Sequence, residues 1–97
     1  MYYNLNSLWT CPNNCIAWVQ SVNFYSNAAD NLRLFKWSAL GVRSTLYGWT
    51  NATNFTATAG GSYGFGGYIT AGETIGWGGE NATTSKIVYS NIVCKYL

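Results

Sequence analysis

The 97-residue chain has no histidine, one proline and few charges: five basic residues (Arg33, Lys36, Arg43, Lys86, Lys95) and three acidic ones (Asp30, Glu73, Glu80). Without histidine, neither a Ser–His nor a Cys–His nucleophile pair can be built. The acids leave Glu73 and Glu80 as the one conceivable carboxylate pair. Both sit in turn-forming surroundings, Ala71-Gly72-Glu73-Thr74 and Gly78-Gly79-Glu80-Asn81. Solvated carboxylates are expected there, rather than the raised pKa of a general acid. The sequence therefore reads as a non-enzyme, and no cofactor is expected. No metal is expected either, because the three cysteines lack a fourth ligand at any zinc-like spacing.

Other absences narrow the partners. No apolar run approaches the roughly 18–20 residues that span a bilayer, so no membrane association is expected. The start, Met-Tyr-Tyr-Asn-Leu-Asn, has neither the basic nor the apolar part of a signal peptide. The chain is thus expected to stay in the cytoplasm of its producer, or to leave by a route the sequence does not display. A net charge of +2 on dispersed bases makes no nucleic-acid footprint.

Charged residues make up 8% of the chain, where about 25% is usual. The polar surface must come from Asn, Ser, Thr, Gly and Tyr, and such a surface meets a neighbour without stranding ions. Aromatic residues reach 18%, with five Trp, eight Tyr and four Phe. Rings burying about 150–250 Å2 each exceed what one small core holds, so some are expected to meet other subunits or a ligand. Trp49, Tyr63, Phe65 and Trp77, flanked by glycine and polar residues, are the candidate contact residues. An interface is the leading reading. Sugar stacking is the second, and single-stranded nucleic acid, which wants a basic groove, is distant.

Turn residues recur at short intervals, and no segment carries a helical stripe. Strands are expected over residues 2–10, 16–25, 32–38, 42–49, 51–59, 68–70 and 74–77, and over Lys86–Tyr96. In the third, Leu32 and Leu34 oppose Arg33, Phe35 and Trp37, an aromatic second face that suggests cover on both sides. About eight short strands at this spacing predict an all-β fold of one domain over residues 1–97, an antiparallel β-sandwich with jelly-roll-like connections. Residues 60–67, Gly-Gly-Ser-Tyr-Gly-Phe-Gly-Gly, lack the Lys-Ser/Thr of a phosphate loop. They read equally as a crossover that serves the fold and as a loop that presents Tyr63 and Phe65 to a partner. Cys11 and Cys15 enclose Pro12-Asn13-Asn14, so a disulfide is sterically allowed, with two free thiols as the alternative. Cys94 is the odd one left over, expected free in the last strand.

The order of these segments resembles a known group. Leu8-Trp9-Thr10-Cys11-Pro12 leads into the long strand Ile16-Ala17-Trp18-Val19-Gln20-Ser21-Val22-Asn23-Phe24-Tyr25. Leu32-Arg33-Leu34-Phe35 follows, then Ile69-Thr70-Ala71-Gly72-Glu73-Thr74-Ile75 and a closing strand through Tyr89 and Val93. The pattern resembles the small β-sandwich virion proteins of tailed bacteriophages, which serve as capsid decoration (cement), tail, neck or fibre components. The resemblance implies a virion structural protein, assembled in the host cytoplasm as a homo-oligomer such as a trimer. Its partners would be other virion proteins, the major capsid protein first. A short chain without fibre shaft or linker suits a decoration subunit that stabilises the head shell. The alternative is a carbohydrate-binding module, or a tail or fibre component, for host attachment.

Overall fold

In the longest strand, Cys15, Ala17 and Val19 face inward. The parity then switches, and Val22, Phe24 and Ser26 face inward instead. The switch is a β-bulge. Against the last strand Val19 pairs with Ile92 and Ser21 with Asn91, which leaves Gln20 as the extra residue. Without it, Val22 and Phe24 would turn to solvent.

The computed structural model describes residues 1–61 and 63–97. Ser62, inside the glycine-rich segment, lies outside the described residues. Nine strands form among them: β1 (Tyr3–Asn4), β2 (Trp9–Thr10), β3 (Cys15–Ser26), β4 (Asp30–Trp37), β5 (Arg43–Ala52), β6 (Phe55–Thr58), β7 (Ile69–Thr70), β8 (Thr74–Gly79) and β9 (Lys86–Tyr96). All pairings are antiparallel and no helix forms among the described residues. The protein is an all-β sandwich. One sheet runs β1-β8-β4-β5, with β2 also on β8; the other has β3 paired with β9 and with both β6 and β7. Because β9 follows β3 along its whole length, β6 and β7 share the opposite edge of β3. Most connections pass from one sheet to the other, as jelly-roll-like winding requires.

The closing strand has the bounds expected from sequence. The first one differs: residues 2–10 split into β1 and β2, both on β8, with Leu5 N–H donating to the Trp77 carbonyl at 2.9 Å in between. The core lies between the sheets, with Val19, Val22, Phe24, Leu32, Leu34 and Ile69 fully buried. The outer face of β4 is covered too, as its aromatic composition suggested. Phe35 is buried under the edge of the Tyr2 ring, 5.4 Å between centroids, and the Arg43 guanidinium sits 4.4 Å from its own. Gly78 makes room for it, since a Cβ there would meet the Phe35 ring at 2.6 Å.

Candidate binding surface

Three of the four proposed contact rings belong to the fold. Trp77 (3% exposed) and Phe65 (9%) are core residues, and Trp49 is half-buried between them, 6.0 and 5.3 Å from their ring centroids. Tyr63 alone of the four stands out, 56% exposed. The expectation that Trp77 and Phe65 would meet a partner is therefore corrected, while Trp49 keeps part of its surface exposed. The glycines beside Trp77 do not mark a strand end; they lie mid-strand and admit rings from the opposite face. Phe65 is carried inward by the crossover, where its N–H donates to the Val19 carbonyl at 3.0 Å, beside the bulge. Gly64 (φ 65°) is required there, because a Cβ would collide with that carbonyl. The segment thus serves the fold through Phe65, with Tyr63 left at the surface.

All five tryptophans are at least half-buried; the exposed rings are tyrosines. A tyrosine can keep its hydroxyl in water while its ring covers a sheet. On the outer face of the β3 sheet Asn23 stands beside Tyr89, and Tyr25 beside Ile87. Tyr25, Ile87 and Tyr89 are each more than half exposed. Among the described residues the charge on this face is Lys95, near one end; Arg33, Lys36, Arg43, Glu73 and Glu80 all lie on or beside the other sheet.

At the other end this face meets an open cleft of about 660 Å3, lined by Asn4, Asn27, Asn54, Tyr25, Ser85 and Ile87 among others. Its wall, the segment from β8 to β9, is fixed by a buried ion pair that sequence reasoning missed. Lys86 Nζ lies 2.8 Å from Asp30, with side-chain exposures of 4% and 3%. Asp30 also accepts from the N–H groups of Asn31 (2.7 Å) and Asn81 (3.0 Å) and from the Thr84 hydroxyl (3.3 Å). Burial alone would raise the Asp30 pKa, but the bonds from Lys86, Asn31 and Asn81 outweigh it and hold the carboxyl below its ordinary value. Asp30 falls between the expected strands 16–25 and 32–38, and nothing local announces a partner at Lys86.

The other two acids do not form a pair. Glu73 precedes β8 and Glu80 follows it, a separation of about 23 Å along an extended strand. The carboxylates of a glycosidase pair stand about 5–9.5 Å apart. Glu73 is half-buried rather than solvated: it accepts from Thr70 N–H (2.8 Å) and hydroxyl (2.9 Å) and pairs with Lys36 at 3.2 Å. Burial opposes its charge, yet these bonds prevail and lower its pKa. Glu80 is exposed and accepts from Asn31 Nδ2 at 2.7 Å.

All three thiols are free, so the disulfide between Cys11 and Cys15 is not formed. Cys11 is held by main-chain bonds to the 72–73 turn, and its Sγ faces the carbonyls of Cys15 and Ile69, each at 3.6 Å. Cys15 starts β3 and its thiol faces Cys94 on β9 instead. Burial raises the pKa of both Cys11 and Cys15, which makes them poor nucleophiles. Among the described residues no group of three or more His, Cys, Asp or Glu side chains is placed to hold a metal ion. No protein family, curated protein or solved structure matches the chain.

Proposed function

We propose that this protein is a non-catalytic structural subunit that docks through the outer face of the β3 sheet onto a larger protein assembly. The observation that carries the reading is the segregation of charge. The Tyr25–Ile87–Tyr89 face bears one charge at its end, while most of the charged side chains crowd the opposite sheet. An uncharged, tyrosine-rich face can be covered without desolvating ions, whereas the other side stays hydrated. The specific form of this role is a virion protein of a tailed phage. Capsid decoration is the first choice, drawn from the resemblance through Ala71-Gly72-Glu73-Thr74-Ile75.

The test is to purify virus-sized particles from the producing culture and image them. The chain is expected on the shell with Tyr89 and Ile87 turned toward the neighbouring protein. Substituting Ile87→Glu and Tyr89→Glu should empty those positions while leaving the fold intact. Absence from the particles, or attachment with this face toward solvent, overturns the reading.

A second reading rests on the cleft. Amides of Asn4, Asn27 and Asn54 beside the Tyr25 ring offer hydrogen bonds and a stacking platform, which together suit a sugar. Titration with a panel of bacterial surface glycans should then shift Tyr25 and cleft amide resonances, and Tyr25→Ala should abolish the shifts. No perturbation by any glycan in the panel removes this alternative.

A further inference from the structure

A sandwich has open sheet edges, and an unpaired edge offers rows of N–H and C=O groups to another strand. Three edges of this one carry protection. β1 and β2 span two residues each. β5 is bulged twice against β4, at Leu46 and next to Asn51 (φ 53°), and Gly66 of the crossover packs on the Leu46 carbonyl. β6 and β7 divide their edge into pieces of four and two residues. Short strands, bulges and covering loops are how natural proteins prevent edge pairing.

β9 is neither short nor bulged, and among the described residues its one main-chain cover from a loop is the Asn6 amide on Val88. It runs for 11 residues without proline or glycine, and the bulge in its pairing is absorbed by Gln20 on β3. Two contacts reveal which of its main-chain groups face outward. Leu97 N–H donates to the Asn14 carbonyl at 2.8 Å, so odd-numbered residues turn toward β3. Asn6 Nδ2 donates to the Val88 carbonyl at 3.4 Å, so even-numbered residues turn to the open edge. Beyond that amide, the main-chain groups of Ser90, Ile92 and Cys94 line the edge.

We propose that β9 pairs with β9 of a second copy, antiparallel, about a two-fold axis at Ile92. The two Ile92 residues would exchange main-chain hydrogen bonds, as would each Ser90 with Cys94 of the other copy. Charge permits this occupant and selects this direction. From Ile87 to Cys94 the strand is uncharged, so a copy of itself meets no repulsion along that stretch. In the antiparallel register Lys95 falls opposite Tyr89 of the second copy, an ammonium beside a ring face. A parallel pair would set Lys95 against Lys95. The arrangement is isologous and closes on itself, so it ends at a dimer rather than a fibre. It also joins the two outer faces into one, with the two Lys95 ammoniums beside Tyr89 within it, and it stands independently of shell binding, because its test uses the purified chain alone.

Sedimentation velocity of the purified chain in reducing buffer, over a concentration series, reads the association without interference from Cys94 oxidation. The expected result is a monomer that becomes a dimer as concentration rises. Cys94→Pro removes an edge-facing N–H from each copy and should weaken the dimer about fivefold or more. Asn91→Lys, on the exposed outer face, should weaken it in a manner relieved by salt. Amide exchange supplies a second readout: Ser90, Ile92 and Cys94 should gain protection on dimerisation, while Asn91 and Val93 are protected in both states. A chain that stays monomeric at high concentration, a dimer indifferent to both substitutions, or protection gained elsewhere than on β9 overturns the proposal.

Discussion

Substituting Asp30→Asn probes whether the segment from β8 to β9 is held by charge or by shape. Asparagine preserves the outline of the side chain but has one oxygen where the carboxylate has two; placed at Oδ1 it keeps the bonds from the Asn31 and Asn81 N–H groups, while the Thr84 hydroxyl, which donates to Oδ2, loses its acceptor. The substitution removes the Asp30 countercharge from an ammonium that is 4% exposed and that also donates to the carbonyls of Asn81 and Thr84. Deleting one member of a buried ion pair costs about 3–5 kcal/mol. In a domain of this size each kcal/mol moves Tm by about 4–8 °C, so the variant should melt at least about 12 °C lower. Calorimetry and circular dichroism melts at pH 7 measure the shift. Adding Lys86→Met on the Asp30→Asn background removes the stranded charge and should recover most of the loss. The pH dependence has a definite sign. Because the folded pKa of Asp30 lies below its unfolded value of about 3.9, its contribution is fully present above that pH. It disappears as pH falls through the folded pKa. Wild-type stability should therefore decline below about pH 4, and the Asp30→Asn variant should decline less steeply over the same range. A variant melting within about 3 °C of wild type at pH 7, or a double variant no better than the single one, would refute the charge argument.

Gly64→Ala forces a Cβ into the Val19 carbonyl at a left-handed position and should cost about 1–3 kcal/mol, measured by denaturant unfolding. Phe65→Ala empties the same part of the core and should cost about 3–5 kcal/mol in the same assay, whereas Tyr63→Ala should stay within about 0.5 kcal/mol of wild type. Alkylation of the folded protein at pH 8, followed by peptide mass mapping, should label exposed Cys94 and reach Cys11 and Cys15 only after unfolding. Gly78→Ala pushes against the Phe35 ring and should loosen the cover of the outer face of β4, visible as faster amide exchange along β4 and β8.

Local patterning determined much of this protein without help from the rest of the chain. Alternation in Leu32-Arg33-Leu34-Phe35 placed two aliphatic residues inside and two side chains on the other face. The turn residues placed most of the strand ends, including the bounds of Lys86–Tyr96. Such signals survive because a strand's period and its stops are properties of a few neighbouring residues. The absence of histidine and the scarcity of charge were equally plain. What each strand packs against was decided elsewhere. Trp77, between Gly76 and Gly78, read as a contact ring at a strand end, yet the glycines sit under Leu8, Trp37 and Phe35, and the ring between them is in the core. The parity switch at Gln20 has no local signature, because a bulge is defined by the strand opposite it. Asp30 and Lys86 meet only because β4 and β9 begin at the same end of the sandwich. Pairing register, edge exposure and the partner of a buried charge depend on residues distant in sequence, so only the assembled sheets could decide them.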